Sequence, residues 1–447
     1  MSANRRLTRR TTLKLGAAAT ALPLVHIRSA GAAGRLNVAM WDHWVPTADP
    51  AMKRLAVEWG KQNNVEIRLD FLAEGSRITN AMAAEAKAKA GHDVFSFDAW
   101  TVQQHADELL PVDDVMQGLI GQYGKLGEAF EYLGMAHGHW LAVPVSWGSL
   151  SIPPCARISL LKRFANVDVQ AWYPAHESTP DAGKDWTYDK QLEIAEACFK
   201  AGYPTGFGCG PGVSKADAIW ATTFGAFGAE LMDASGNIAI ESDNVMTVME
   251  YCAKMVKFMP ADAATWTDSS SNRALISGKT ALIWNPPSAW AVAKRYAPQV
   301  AEDCWTFPNP RGPSGRLVPH RPTFWGIWSF ANNQSAAKDF ITFMSQRKQV
   351  ETLAVAAEGY DIPPFESMSD LQIWSEVGPP KGTLYNYPIR PWHQASYYVP
   401  GSSAPPRIAA QILDRAIHPG MVARLMSGQT IKQSIDWAKS ELEQIVR

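Results

Sequence analysis

The chain has 447 residues, 46% hydrophobic and 19% charged, with 18 tryptophans and a formal charge of −1. That length exceeds what one hydrophobic core organises, so two lobes are expected. The composition is ordinary for a soluble globular protein, and the lack of a basic stripe or arginine-rich tail excludes nucleic acid as a partner.

The N-terminus reads as an address. Thr8-Arg-Arg-Thr-Thr-Leu-Lys14 places paired arginines before the apolar run Leu15–Ile27, and Ala30-Gly31-Ala32 offers a cleavage point after Ala32. The run is too short to cross a bilayer, and no cysteine follows it for lipid attachment. The pattern resembles a twin-arginine signal, the route for folded cargo. Residues 1–32 are thus expected to be removed, leaving a free periplasmic protein. That segment holds Arg5, Arg6, Arg9, Arg10, Lys14 and Arg28 and no acidic residue, so the mature chain is acidic, at −7. Its cysteines (Cys155, Cys198, Cys209, Cys252, Cys304) are dispersed and odd in number, so at least one lacks an intrachain partner. Folding before export would allow all of them to stay reduced.

The mature chain opens with a strand–helix alternation. Leu36–Met40 reads as a buried strand, and Pro50–Gln62 carries Met52, Leu55, Val57 and Trp59 at helical spacing. Val65–Phe71 alternates as a half-buried strand, Ile78–Ala90 is an alanine-rich helix, and His92–Phe97 is a third strand. This order predicts a parallel sheet covered by helices, with ligands bound beyond the carboxyl ends of the strands. The segments there are Trp41-Asp-His-Trp44, Leu72–Ser76 and Asp98–Trp100.

A fourth strand is expected at Trp140–Val145, then helices at Trp186–Lys200, Lys215–Phe227 and Ser242–Met259, with a Gly-rich loop at Gly202–Gly212. Thr280–Trp284 reads as a strand and Pro308–Pro322 as a Pro- and Gly-rich connector. A return strand at Phe324–Phe330 precedes helices at Ala336–Ser345 and Gln349–Glu358, and a helical tail begins at Pro405.

Several enzyme-like fragments fail on inspection. Ser159-Leu-Leu-Lys162, Ser242-Asp-Asn244 and Lys279-Thr280 follow the order of serine β-lactamase motifs, but Ala281 replaces the final glycine and Ser242 suits a helix N-cap. Ser277-Gly-Lys-Thr280 lacks the first glycine of a phosphate loop, Arg273 standing there. His137-Gly-His139 has no ligand cluster nearby, and Tyr397-Tyr398 has no metal-binding partners in evidence. No catalytic residue, metal or cofactor is expected. The tryptophans after strands carry more weight, because large apolar faces with a polar edge suit hydroxyl-rich ligands. Trp41, Trp44, Trp100, Trp284 and Trp325 are the candidate rings. Trp284 is expected to face ligand, so that its loss would weaken binding but not stability.

Asp93-Val, Leu110-Pro-Val-Asp-Asp114, Gly138-His-Trp-Leu-Ala-Val-Pro144, the Phe224–Asn237 turn, Ala274-Leu-Ile-Ser-Gly-Lys-Thr-Ala-Leu282, Pro308-Asn-Pro310 and Ala336–Phe343 occur in series along the chain. In that order they resemble the family 1 extracellular solute-binding proteins of ABC importers, the group containing the maltose-binding proteins. The tyrosine-containing segment common after the fourth strand is absent, Ser151–Leu161 taking its place, and Gly378–Pro406 has its own aromatics.

The resemblance implies a type II periplasmic-binding-protein fold, α/β, with two lobes joined by a hinge. After the signal at 1–32, lobe 1 would take residues 33–145, lobe 2 residues 146–306, a connector with the rest of lobe 1 residues 307–362, and the rest of lobe 2 residues 363–447. Crossing segments fall near Pro144–Trp147, Phe307–Thr323 and Asp361–Phe365. The implied site comprises Trp41, Asp42, Trp44, Glu74, Asp98, Trp100, Trp147, Trp284, Asn285 and Trp325. It would take a carbohydrate or polyol, which a monomeric protein delivers to membrane permease subunits. Two alternatives stay open: a cationic solute such as a polyamine caged by Asp42, Glu74 and Asp98 beside tryptophans, and a glycan hydrolase or lyase using paired carboxylates.

Overall fold

The computed structural model describes residues 34–447 apart from 74–75, 175–177, 180, 211–213, 286–287 and 377–392. The signal segment and Glu74 therefore lie outside the described residues, as do Tyr385, Tyr387 and Trp392 of the aromatic loop.

The opening alternation forms as its periodicity demands. Strand β1 (Gly34–Trp41) pairs in parallel with β2 (Val65–Leu72) on one side and with β3 (Val94–Asp98) on the other. The helix Ala48–Asn63 between β1 and β2 buries Met52, Leu55 and Trp59, the last edge-on to Phe340 at 5.2 Å, whereas Val57, expected on the same face, is exposed because it falls off that stripe. Each such side chain contributes about 1.5–3 kcal/mol by leaving water. Asn64 ends this helix in the left-handed region (φ 53), a conformation asparagine tolerates better than branched residues, and its N–H caps the Gly60 carbonyl.

The sheet is mixed, and here the expectation of a parallel sheet is corrected. The stretch read as a Pro- and Gly-rich connector is largely strand. A short β11 (Arg311–Gly312) turns into β12 (Gly315–Ile327), a single strand that also absorbs the expected return strand. β12 pairs antiparallel with β3 through Thr323–Ile327 and with β6 (Ala142–Ser151) through His320–Gly326, so it lies between them. Pro322 falls where the β12–β6 register shifts, between Arg321 and Thr323, which is where a strand accommodates a residue that cannot donate to the ladder. Before β6, a small hairpin of β4 (Met135–Ala136) and β5 (His139–Trp140) takes the start of the expected fourth strand.

The second sheet is smaller. β7 (Pro154–Arg157) lies between β10 (Cys304–Thr306) and β9 (Leu282–Trp284), and β9 also pairs with β8 (Thr205–Gly206). Helices Tyr188–Lys200, Ser214–Ala226, Asp243–Met255 and Ser270–Ile276 accompany it, and Ser242 caps the third of these as its sequence position required. A last strand, β13 (Ser396–Tyr398), adds to the beginning of β12 and holds the tyrosine pair expected in a loop.

Two connections join the sheets. β6 runs almost directly into β7, and β10 leads through β11 into β12. The molecule is thus two lobes strung on antiparallel strands, each lobe built from separate stretches of chain. All five cysteines are buried free thiols.

Candidate functional site

The aromatic cluster after β1 is organised by a histidine. Trp41 ends β1, and one residue beyond the exposed Asp42 the His43 ring lies parallel to the Trp41 ring, centroids 4.8 Å apart. Trp147 from β6 closes on both, 5.8 Å from Trp41 and 4.7 Å from His43, and its indole N–H donates to the Trp41 carbonyl at 3.2 Å. Tyr360 meets His43 edge-on at 5.2 Å. The Val45 N–H donates to His43 Nδ1 at 2.9 Å, which fixes the proton on Nε2, where it is donated to Asp361 Oδ1 at 2.8 Å. The same Asp361 oxygen accepts from the Gly148 N–H at 2.9 Å, and the Ile362 N–H bonds the Gly148 carbonyl. Asp361 and His43 have fully buried side chains. One carboxylate therefore joins the tip of β1, the crossing strand β6 and the 360–365 segment.

Asp42, expected to accept from ligand hydroxyls, already shares a hydrogen bond with Asp49 in the first turn of the following helix. Burial, that bond and the Asp42 charge push the Asp49 carboxyl up to about 7, against the His43 N–H that donates to it. Trp44 is half-buried against the core.

Trp100, just after β3, is 7% exposed and its indole N–H has no partner among the described residues. Asp98, at the end of β3, is engaged by Arg321 of β12 through Nε at 3.0 Å and also through Nη2. This takes Asp98 out of the expected three-carboxylate cage, because its charge is already matched. Trp325 points the other way from a cleft role: it is 1% exposed and stacked on Phe340 of the helix Gln334–Met344, interplanar angle 6°.

Trp284 ends β9 in the second sheet. Its ring packs 5.0 Å from Phe207, which in turn meets Trp220 at 4.7 Å. Being 2% exposed, Trp284 cannot be truncated without opening a cavity, a loss of about 3–5 kcal/mol for Trp→Ala. The expectation that its removal would spare stability is corrected. Asn285 follows, its N–H bonded to the Pro153 carbonyl and its amide to Asn272 and to Ser288 Oγ (2.9 Å).

The structure thus brings Trp41 and Trp147 together with His43 and Asp361. It hangs Trp41 and Trp100 on strands of the larger sheet and Trp284 with Asn285 on the smaller, and it gives Trp325 to the core. His43, Asp361 and Arg321 escaped the sequence reading. His43 sat in the tetrad and Asp361 in a named crossing segment, whereas Arg321 was masked by the connector reading. Among the described residues no group of three or more His, Cys, Asp or Glu is placed to hold a metal ion. His137 and His139 each meet one surface aspartate, Asp107 and Asp113.

Two sheets strung on shared crossing strands, with aromatic side chains at the strand ends of both, define a two-lobed ligand-binding protein. A family model described as bacterial extracellular solute-binding protein matches residues 54–378, and the chain belongs to that family. No curated protein sequence matches it. Solved structures carry the same fold at low identity. The maltose-bound MalE3 of T. maritima is 17% identical with a TM-score of 0.70, the match covering 92% of this chain and 100% of that one. A sugar transporter protein of Arthrobacter chlorophenolicus A6 with bound laminaribiose gives 16% and 0.71, covering 93% and 100%. The GacH receptor of Streptomyces glaucescens, solved unliganded and with acarbose, gives 15% and 0.70, covering 92% and 99%.

Proposed function

We propose that this protein is the solute-binding component of an ABC importer, maltose-binding-protein-like, which captures a carbohydrate or polyol between its lobes and hands it to membrane permease subunits without chemistry. The observation that carries the reading is the placement of Trp41 and Trp100 at strand ends of one sheet and Trp284 with Asn285 at a strand end of the other, across the crossing strands. Rings on both sides of a cleft stack on sugar faces while amides and carboxylates take the hydroxyls. The ligands of MalE3, of the Arthrobacter protein and of GacH support the same class. In this reading residues 33–145 with 307–362 move against 146–306 with 363–447, the protein acts as a monomer, and the twin-arginine signal delivers it folded to the periplasm.

The test is a thermal-shift screen of the mature protein over neutral sugars, oligosaccharides and polyols, followed by calorimetry. Ligand at 100 times its Kd adds ~2.7 kcal/mol of stability, so at least one member of the panel is expected to raise the melting temperature by several degrees. If the sugars leave it unmoved and a polyamine such as spermidine raises it, the carbohydrate reading is wrong.

A further inference from the structure

A groove of about 540 Å³ opens beside the smaller sheet, and none of the residues gathered above as the interlobe site lines it. It lies between the helical turn Val169–Trp172 and the start of the helix Tyr188–Lys200, with the exposed Lys184 and Asp185 on the loop between them. That volume is typical of small-molecule pockets, which run from about 300 to 1,000 Å³. Trp172 supplies an aromatic wall, and Val167 and Ala171 add apolar surface beside it. The Trp172 ring is half-buried and backed by the fully buried Trp186, centroids 5.8 Å apart. It is therefore held in place while part of it stays open to solvent.

The polar lining divides into groups already engaged and groups still available. Asp168 accepts from Lys162 Nζ at 3.1 Å and from the Ala171 N–H at 3.2 Å, and Glu193 accepts from Lys190 Nζ at 2.7 Å. Lys184, Asp185 and Asp189 also line the groove, and their exposed side chains form no ion pair among the described residues. One ammonium beside two carboxylates makes no single-sign field that would select a highly charged ligand. It does offer both donors and acceptors, which a hydroxyl needs because it donates and accepts at once. An apolar ring face edged by such groups suits a neutral sugar, whose own faces are apolar and whose rim is hydroxyl.

We infer that this groove is a second carbohydrate-binding site, in which Trp172 packs on a sugar ring while Lys184, Asp185 and Asp189 bond its hydroxyls. All of its lining comes from residues 166–193, on one side of the crossing strands. The groove therefore fills without any closure of the lobes, and the inference does not depend on the interlobe reading.

The experiment adds maltotetraose, cellotetraose or laminaritetraose at millimolar concentration to the mature wild-type protein and follows amide hydrogen exchange segment by segment. At least one of the three is expected to slow exchange at least twofold in residues 166–172 and 184–193. Trp172→Ala is expected to abolish that protection, and so is Lys184→Ala combined with Asp185→Ala, which alters only exposed side chains and so leaves the fold intact. Protection at residues 41–44 and 284–285 should be the same in these variants as in wild type. Protection between the lobes with none in the groove overturns this inference and leaves the carbohydrate reading intact. Groove protection that survives both variants, or that spermidine gives equally at the same concentration, also overturns it, as does the failure of all three sugars to protect the groove.

Discussion

At the scale of single residues, Asp361 shows how one oxygen can hold a junction. Its Oδ1 accepts from His43 Nε2 and from the Gly148 N–H, whereas Oδ2 is buried and makes no bond among the described residues. Alanine at 361 strands two buried donors, each costing roughly 1–3 kcal/mol, so Asp361→Ala is expected to lose about 3 kcal/mol in denaturant unfolding. Asparagine can present its carbonyl where Oδ1 stands and its amide where nothing is bonded, so Asp361→Asn should lose less than half as much. Equal losses would mean that charge, not the two hydrogen bonds, is what position 361 supplies. None of this was legible in the sequence beyond the Trp-Asp-His-Trp tetrad itself, because His43 and Asp361 are 318 positions apart and no local spacing connects them.

At the scale of elements, periodicity located most strands and helices to within a few residues, since local burial faces leave a local record. It failed at β12, where prolines and glycines read as turn punctuation although antiparallel partners on both sides, β3 and β6, override that signal. The helix Ser76–Ala88 shows a different non-local device. His92, just before β3, donates from Nδ1 to Glu85 of that helix at 2.6 Å and from Nε2 to Asp70 of β2 at 3.0 Å. Burial disfavours the charged ring, but the bonds and charges of Glu85 and Asp70 outweigh it, so the His92 pKa rises above 6.5. A raised histidine pKa means the folded state holds the proton more tightly. The stabilisation is complete below 6.5, the value of a free histidine, and disappears as pH climbs through the raised value. The gap in melting temperature between wild type and His92→Gln should accordingly be widest near pH 6 and narrow on the alkaline side. A gap that does not change with pH would show that His92 is neutral in the fold.

At the scale of the whole molecule, Arg407 pairs with Asp107 at 3.0 Å and the Tyr132 hydroxyl donates to the Ala404 carbonyl at 2.7 Å, contacts that cross between the lobes in the division proposed above. A ligand gripped from both sides shifts the population toward the conformer in which both sets of contacts form. Small-angle scattering should show the radius of gyration falling when a ligand found in the thermal screen saturates the protein. An unchanged radius at saturation would place the ligand on one lobe only.

The position of β12 also has a consequence in time. It fills the place between β3 and β6, yet it is translated some 200 residues after the first of them. Until Gly315–Ile327 leaves the ribosome, the larger sheet has a gap in its middle, with two open edges able to accept any extended segment that arrives first. Such late, distant pairing slows folding and prolongs exposure to aggregation. A fragment stopped before residue 315 is therefore expected to leave the larger sheet unclosed between β3 and β6 and to aggregate more readily than the full chain.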